Sequence, residues 1–221
     1  MLSYQIKIGL PMKILALANQ KGGVAKTATC HALGEALAAG GLRVLPIDAD
    51  PQGSLTRGAG LTDCGGRSLA EVMQAGGLAL ADIIQELQPG LYIAPSDIAL
   101  AGVELALTAR LGREAVLKKA LANVTGFDLV LIDCPPSLGL LTLNSLVAAD
   151  ALIIPTQPMA ADLRGVNLFL QTVDQVRQEL NPGLQTLGLL LTFYDGRLNF
   201  HKAAVEAIQA AGLDLTPVYI G

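Results

Sequence analysis

Cysteine, charge and long hydrophobic runs are all scarce in this chain. Its three cysteines, Cys30, Cys64 and Cys134, stand far apart. Their number is odd and none falls in a C-x-x-C pair. That argues against a disulfide framework or a zinc site and for free thiols in a reducing compartment. Mean hydropathy is +0.49, yet no apolar run approaches the ~18 residues a spanning helix needs. No basic-then-apolar leader opens the chain, so a cytoplasmic protein is expected. Repeats, low-complexity segments and an interdomain linker are also missing. Charged residues make up 15% and the net charge is −4. A nucleic-acid contact would therefore have to be a local patch, because the global field repels phosphate. What the chain does have is apolar content, 52% of 221 residues. That is enough for one α/β domain with a sizeable core.

Short apolar runs alternate with helical stretches. ILALAN (14–19), RVLPID (43–48), LYIAP (91–95), DLVLID (128–133), ALIIP (151–155), TLGLLLTF (186–193) and PVYI (217–220) read as strands. Helices are expected over Thr27–Ala39, closed by Gly40-Gly41, and from about Leu198 to Ala211. This alternation predicts a mostly parallel sheet with helices on both faces, in a single domain of P-loop NTPase type. Residues 1–11 end in a proline before Met12 and read as an N-terminal extension, which puts the domain at 12–221.

The stretch NQKGGVAKTAT (19–29) follows the first strand and opens the first helix. A phosphate group needs inward-facing backbone N–H groups, a helix N-terminus behind them and a cation. All three are offered here. Against the common loop G-x-x-x-x-G-K-(S/T), Gln20 and Ala25 replace the fixed glycines. Gly22 and Gly23 let the backbone bend and approach a ligand closely. The methyl of Ala25 is harmless provided that residue keeps a negative φ. Lys26 can sit on the β- and γ-phosphates and Thr27 can offer its hydroxyl to Mg²⁺. Charge-assisted bonds contribute roughly 1.5–3 kcal/mol each. Several together support binding near ~1 μM, about 8 kcal/mol. A second lysine, Lys21, lies five residues before Lys26, too close in sequence for both to serve one phosphate oxygen easily.

Two acidic segments complete the set. IDADPQG (47–53) ends the second strand, where ligands sit in open α/β sheets. Asp48 and Asp50 are two apart, so an extended chain would point them the same way. LVLIDCPPS (129–137) is an apolar run ending in Asp133, the form of a strand that holds Mg²⁺ through water.

KGGVAKT resembles the deviant Walker A loop, K-G-G-x-x-K-(S/T), of the ParA/MinD group of P-loop ATPases. The resemblance runs from about Met12 to Ile220. It implies an ATP site, with ADP as product and Mg²⁺ as cofactor, built from Lys21, Gly22, Gly23, Val24, Ala25, Lys26, Thr27 and Ala28. Lys21 is implied to reach a partner's ATP across a homodimer, with Lys26 acting in cis. Thr27, Asp48 and Asp133 are implied in the Mg²⁺ site, and Asp50 in orienting or activating the attacking water. DCPPSLGLLTLNSL (133–146) resembles the ParA partition branch more than the MinD branch. PTQPMAADLRG (155–165) resembles another ParA stretch, with Met159 where Glu is common. Ala28 departs from the hydroxyl residue usual near the α-phosphate. TFYDGR (192–197) resembles a T-x-x-D-x-R stretch whose arginine binds DNA without sequence preference. That makes Arg197 the DNA candidate, with Lys202 behind it.

The family continues beyond the last strand, so the resemblance implies that this chain lacks that C-terminal segment. It further implies a cytoplasmic, nucleoid-associated ATPase that partitions a chromosome or plasmid. Its dimer would bind double-stranded DNA, a ParB-type partner would stimulate hydrolysis, and no membrane would be involved. A MinD-like membrane-cycling ATPase, a nitrogenase-iron-protein-like reductase and a non-hydrolysing nucleotide-binding module are the alternatives.

Overall fold

The computed structural model describes residues 12–221, and residues 160–164 by their backbone alone. The proposed extension 1–11 lies outside the described residues. Seven strands are formed: β1 Lys13–Leu17, β2 Val44–Asp48, β3 Gln85–Gln88, β4 Leu91–Ile93, β5 Leu129–Asp133, β6 Ala151–Thr156 and β7 Gln185–Leu191. The helices are α1 Lys26–Ala39, α2 Ser54–Gly58, α3 Leu69–Met73, α4 Ala99–Leu107, α5 Val116–Leu121, α6 Leu140–Ala148, α7 Ala160–Glu179 and α8 Asn199–Ala210. Two short 3₁₀ turns, at 80–82 and 113–115, join them.

The strands form one sheet in the order β3-β4-β2-β5-β1-β6-β7. Every pairing is parallel except β3 with β4. Period-two alternation explains the two layers of core. Leu15 and Leu17 face one side, where Cys30 and Ala38 of α1 pack with Val44, Leu91 and Leu131. Ala16, Leu45, Ile47, Val130 and Ile132 face the other, under residues of α3 to α7 that include Phe169. β1 is the switch point of the sheet. The chain leaves it toward β2 and β5 on one side and later fills β6 and β7 on the other, and ligands bind beyond such a point.

Two sequence expectations change. β3 was not expected, because QELQ carries neither an apolar alternation nor β-branched residues. It forms as the antiparallel edge of a hairpin with β4. PVYI (217–220) is not a strand. Pro217 has no N–H to give a ladder, and the Thr216 hydroxyl turns the chain by donating to the Val218 carbonyl at 2.9 Å. The segment lies along β7 through a bridge at Leu215 and an Ile220 N–H to Leu191 bond of 2.8 Å.

Candidate nucleotide site

The loop after β1 is held from several directions. Asn19, buried, donates to the Pro155 carbonyl at 2.7 Å and accepts from the Lys21 amide at 3.0 Å. Gln157, just past β6, donates to the Gly23 carbonyl at 2.9 Å, and its Oε1 accepts from the Lys21 ammonium at 3.4 Å. Thr192, just past β7, donates to the carbonyls of Val24 and Thr156 at 3.3 and 3.2 Å. Lys26 is 7% exposed, and its ammonium folds back over the loop to the Lys21 carbonyl at 3.1 Å. Thr27 is half-buried and Ala28 exposed in the first turn of α1. No side chain caps that helix, so its leading N–H groups are left for a ligand.

Ala25 corrects an expectation. Its φ is +60°, in the left-handed region, because the chain must turn sharply from the loop into α1. Gly23, at φ +72°, meets the same demand without a Cβ. An L-residue pays roughly 1–2 kcal/mol for that conformation. Ala25→Gly is therefore expected to raise stability by about 1 kcal/mol, read as a higher thermal unfolding midpoint. A lower midpoint would place the helpful contacts in the methyl itself.

The acidic residues come together by register. Asp48 at the end of β2 lies directly across from Asp133 at the end of β5, and Leu17 of β1 flanks Asp133 on the other side. The strand ends at Asp48, and the Ala49 amide still donates to the Asp133 carbonyl at 2.9 Å. Asp50 sits in the following turn, where its Oδ1 accepts from the Gln52 amide at 2.9 Å. Asp48 is fully buried and engaged. Its oxygens accept from the Thr56 hydroxyl at 2.7 Å, the Thr56 amide at 2.8 Å and the Asp50 amide at 3.2 Å. Thr56 in turn accepts from the Ser96 amide at 2.9 Å. Asp48 thus ties β2 to α2 and to the chain after β4. Burial raises its pKa, and the Thr56 bonds pull it partly back.

Asp133 differs. It is fully buried, and neither carboxylate oxygen has a well-formed hydrogen bond. Burial, with Asp48 and Asp50 nearby, pushes its pKa up to about 7, against the pull of the Thr27 hydroxyl and the Lys26 ammonium. Burial likewise lowers the pKa of Lys26, opposed mainly by Asp133. A buried carboxylate with open lone pairs beside a hydroxyl is a hard-oxygen site suited to Mg²⁺. Among the described residues no three or more His, Cys, Asp or Glu converge on a metal. A Mg²⁺ ion that fits here would draw its remaining ligands from phosphate and water. Cys134, also buried, is held near pKa 12 by desolvation and is inert.

The DNA candidates lie elsewhere. Arg197 is exposed, and its guanidinium is paired with the carboxylate of Asp195, at 2.7 Å for the closest bond. Lys202 is exposed on α8. Asn19, Gln157, Thr192 and Thr56 were not singled out as site residues from sequence. Gln157 and Thr192 do lie inside the two stretches that carried the family resemblance, and that position was the available signal.

A phosphate-type loop at the switch point of a mostly parallel sheet, with aspartates ending the flanking strands, defines a P-loop nucleotide-binding domain. A family described as an AAA domain matches residues 12–186. The chromosome partitioning protein ParA of Caulobacter vibrioides is 41% identical over 204 residues, 90% of this chain and 76% of that protein. The sporulation initiation inhibitor protein Soj of Bacillus subtilis is 41% identical over 199 residues, 89% of this chain and 79% of that one. This chain belongs to the ParA-type family of chromosome-partitioning ATPases. A solved structure described as cobyrinic acid a,c-diamide synthase of Mycobacterium smegmatis, with bound ATP analog and magnesium, has TM-score 0.85. It is 44% identical to this chain, and the match covers 90% of this chain and 82% of that one. No helix of the described residues is long and apolar enough to cross a membrane.

Proposed function

We propose that this chain is an ATP-dependent DNA partition ATPase whose nucleotide site is completed by a second copy. The observation that carries this reading is the division of labour between the two loop lysines. Lys26 is buried and turned inward over the loop, whereas Lys21 is exposed at its rim beside Gln157. A buried ammonium serves the ATP of its own chain. An ammonium at the rim is placed to serve the ATP of a partner chain and so to close a homodimer around two nucleotides.

The loop amides from Gly22 to Ala28 bind the phosphates, and Lys26 neutralises the charge on them. Thr27 and Asp133 would hold Mg²⁺, and Asp48 sets the frame behind Asp133. A Mg²⁺ ion held there would supply charge neutralisation for the phosphates during their transfer. Asp50 orients a water for in-line attack on the γ-phosphorus. The bond from that phosphorus to the β-bridging oxygen breaks, and ADP and phosphate leave. Hydrolysis is slow until a ParB-type partner stimulates it. The ATP dimer binds double-stranded DNA without sequence preference, with Arg197 and Lys202 as phosphate contacts. DNA phosphate must compete with Asp195 for Arg197, which makes that contact sensitive to salt.

The test is binding to random-sequence duplex DNA at fixed salt with ATP, ADP or no nucleotide, alongside the mass of the protein in solution. The expected result is a dimer and tight, salt-sensitive binding with ATP alone. Lys21→Ala should bind ATP and stay monomeric. Equal weak DNA binding in all three states would sink the DNA-switch reading, and an unaffected dimer in Lys21→Ala would remove the role in trans.

The Mycobacterium smegmatis relative favours a second reading, ATP-dependent amidation of a carboxylate. An enzyme of that kind would consume ATP in step with an acid substrate and an ammonia donor, whereas DNA would leave its turnover unchanged.

A further inference from the structure

Helix α6 begins directly after the loop 134–139, which carries the chain away from Asp133. Its N-cap is Gly139, and no local side chain caps it. The missing acceptor arrives from another helix. The Leu141 amide donates to Oε1 of Glu104, on α4, at 3.2 Å. A carboxylate there satisfies an orphan amide and faces the positive end of the helix dipole. The fit is close. A Cβ on residue 139 would collide with the Glu104 carboxylate. The φ of Gly139 is −78°, so backbone conformation does not require glycine there; a side chain at 139 would instead push the Glu104 carboxylate out of its place.

The same loop leads away from Asp133 and passes beside the phosphate loop. A Cβ on Gly22 would stand 3.9 Å from Cβ of Pro136. The first turn of α6 also holds the loop, because the Thr142 hydroxyl donates to the Ser137 carbonyl at 2.7 Å. Glu104 thus connects to the start of α6 and, through it, to the loop 134–139, which runs from Asp133 past Gly22 of the phosphate loop.

We propose that Glu104 is a positioning residue for ATP hydrolysis: from α4 it fixes the start of α6 and, through it, the loop 134–139 against the phosphate loop. This role rests on the ATPase reading above. Glu104 itself touches no phosphate-loop residue; it sets where Pro136 and the backbone after Asp133 stand. Small displacements of such a support lower the rate of the chemical step more than they weaken binding.

The experiment measures kcat, KM for ATP and the thermal midpoint in Glu104→Ala, Glu104→Gln, Gly139→Ala and the Glu104→Ala/Gly139→Ala pair, against a parent shown to hydrolyse ATP. Glu104→Ala is expected to lower kcat about ten- to a hundredfold with KM for ATP little changed. Glu104→Gln keeps an acceptor oxygen and should restore most of the rate. Gly139→Ala displaces the carboxylate and should reproduce the loss. The double variant should be no slower than either single one, because both act through one contact. If Glu104→Ala does not fold, Glu104→Gln and Gly139→Ala carry the same test. A lowered midpoint with parental kcat in Glu104→Ala would reduce Glu104 to a helix cap, and multiplicative losses in the double variant would separate the two residues. Either result overturns the role of Glu104 while the parent remains an ATPase. A parent without ATP hydrolysis would overturn the ATPase reading as well.

Discussion

Asp50→Ala is expected to bind ATP and accumulate the ATP-bound dimer while hydrolysing ATP at least about a hundredfold more slowly, the scale of a lost general base. The argument turns on what each aspartate is already doing. Asp48 is fully buried and already accepts three bonds, from the Thr56 hydroxyl and amide and from the Asp50 amide, so it is committed to the frame behind the site. Asp133 is buried at the strand end beside Thr27 and Lys26, where a cation and the phosphates belong. Asp50 is half-buried in a turn, anchored by one oxygen to the Gln52 amide. It is close enough to Lys26 and Asp133 to enter their electrostatics. That combination suits a group that must meet a water at the edge of the site. Removing it leaves the bonds of Asp48 to Thr56 and the loop lysines in place. Single-turnover phosphate release, set beside equilibrium binding of a fluorescent ATP analogue, separates the two effects. A variant that loses binding and hydrolysis together would make Asp50 a turn residue and move the search for the water-orienting group elsewhere.

The second large effect concerns Asp133. Asp133→Asn keeps the shape and removes the charge. In the metal-free protein the Asp133 carboxyl titrates at about 7 rather than 3.8. Between those values the folded chain holds a proton that the unfolded chain has released. Its stabilising contribution is complete below the unfolded value and is withdrawn as pH rises through the folded one, by about 4 kcal/mol in all. Without Mg²⁺ or nucleotide, the parent should therefore lose thermal stability from about pH 4 to 7. Asp133→Asn should be much flatter over that range, with a smaller slope left by Asp48, whose pKa is also raised by burial. Above pH 7 the variant should be the more stable of the two. Mg²⁺ with ATP should reverse the order, because the ion answers the open carboxylate of the parent and finds no charge in the variant. Scanning calorimetry at several pH values, with and without Mg²⁺-ATP, checks both halves. A parent midpoint that does not vary with pH, or Mg²⁺-dependent ATP binding retained by the variant, would remove Asp133 from the metal site.

Much of the site was legible because its main parts are local in sequence. A loop that must offer consecutive amides to a phosphate needs glycine, lysine and a hydroxyl within a few residues, between a strand and a helix. NQKGGVAKTAT states that need by itself. Apolar runs ending in aspartate announce strands that deliver a carboxylate to the same edge. The family followed from those stretches, and so did the sheet, apart from its polar edge strand β3 and the segment 217–220, which forms no strand.

What the sequence could not supply were the contacts between segments far apart along the chain. Asn19 and Pro155 are 136 residues apart, and Thr192 and Val24 are 168 apart. Asn19 and Thr192 read as ordinary polar residues until the parallel register of β1, β6 and β7 brings the ends of those strands together. The positive φ of Ala25 belongs to the same class, since it is imposed by how sharply the loop must enter α1. The engagement of Asp48 by Thr56 likewise appears only once α2 folds back under the end of β2. The approach of Glu104 to the start of α6 depends on two helices packed over the same face of the sheet. The sequence determined which chemical groups the chain carries to the carboxyl edge of its sheet, because backbone propensity and hydrophobic alternation act over neighbouring residues. Only the tertiary structure decided which of those groups are already bound and which remain open to a ligand, because hydrogen-bond partners and desolvation are set by what packs against them.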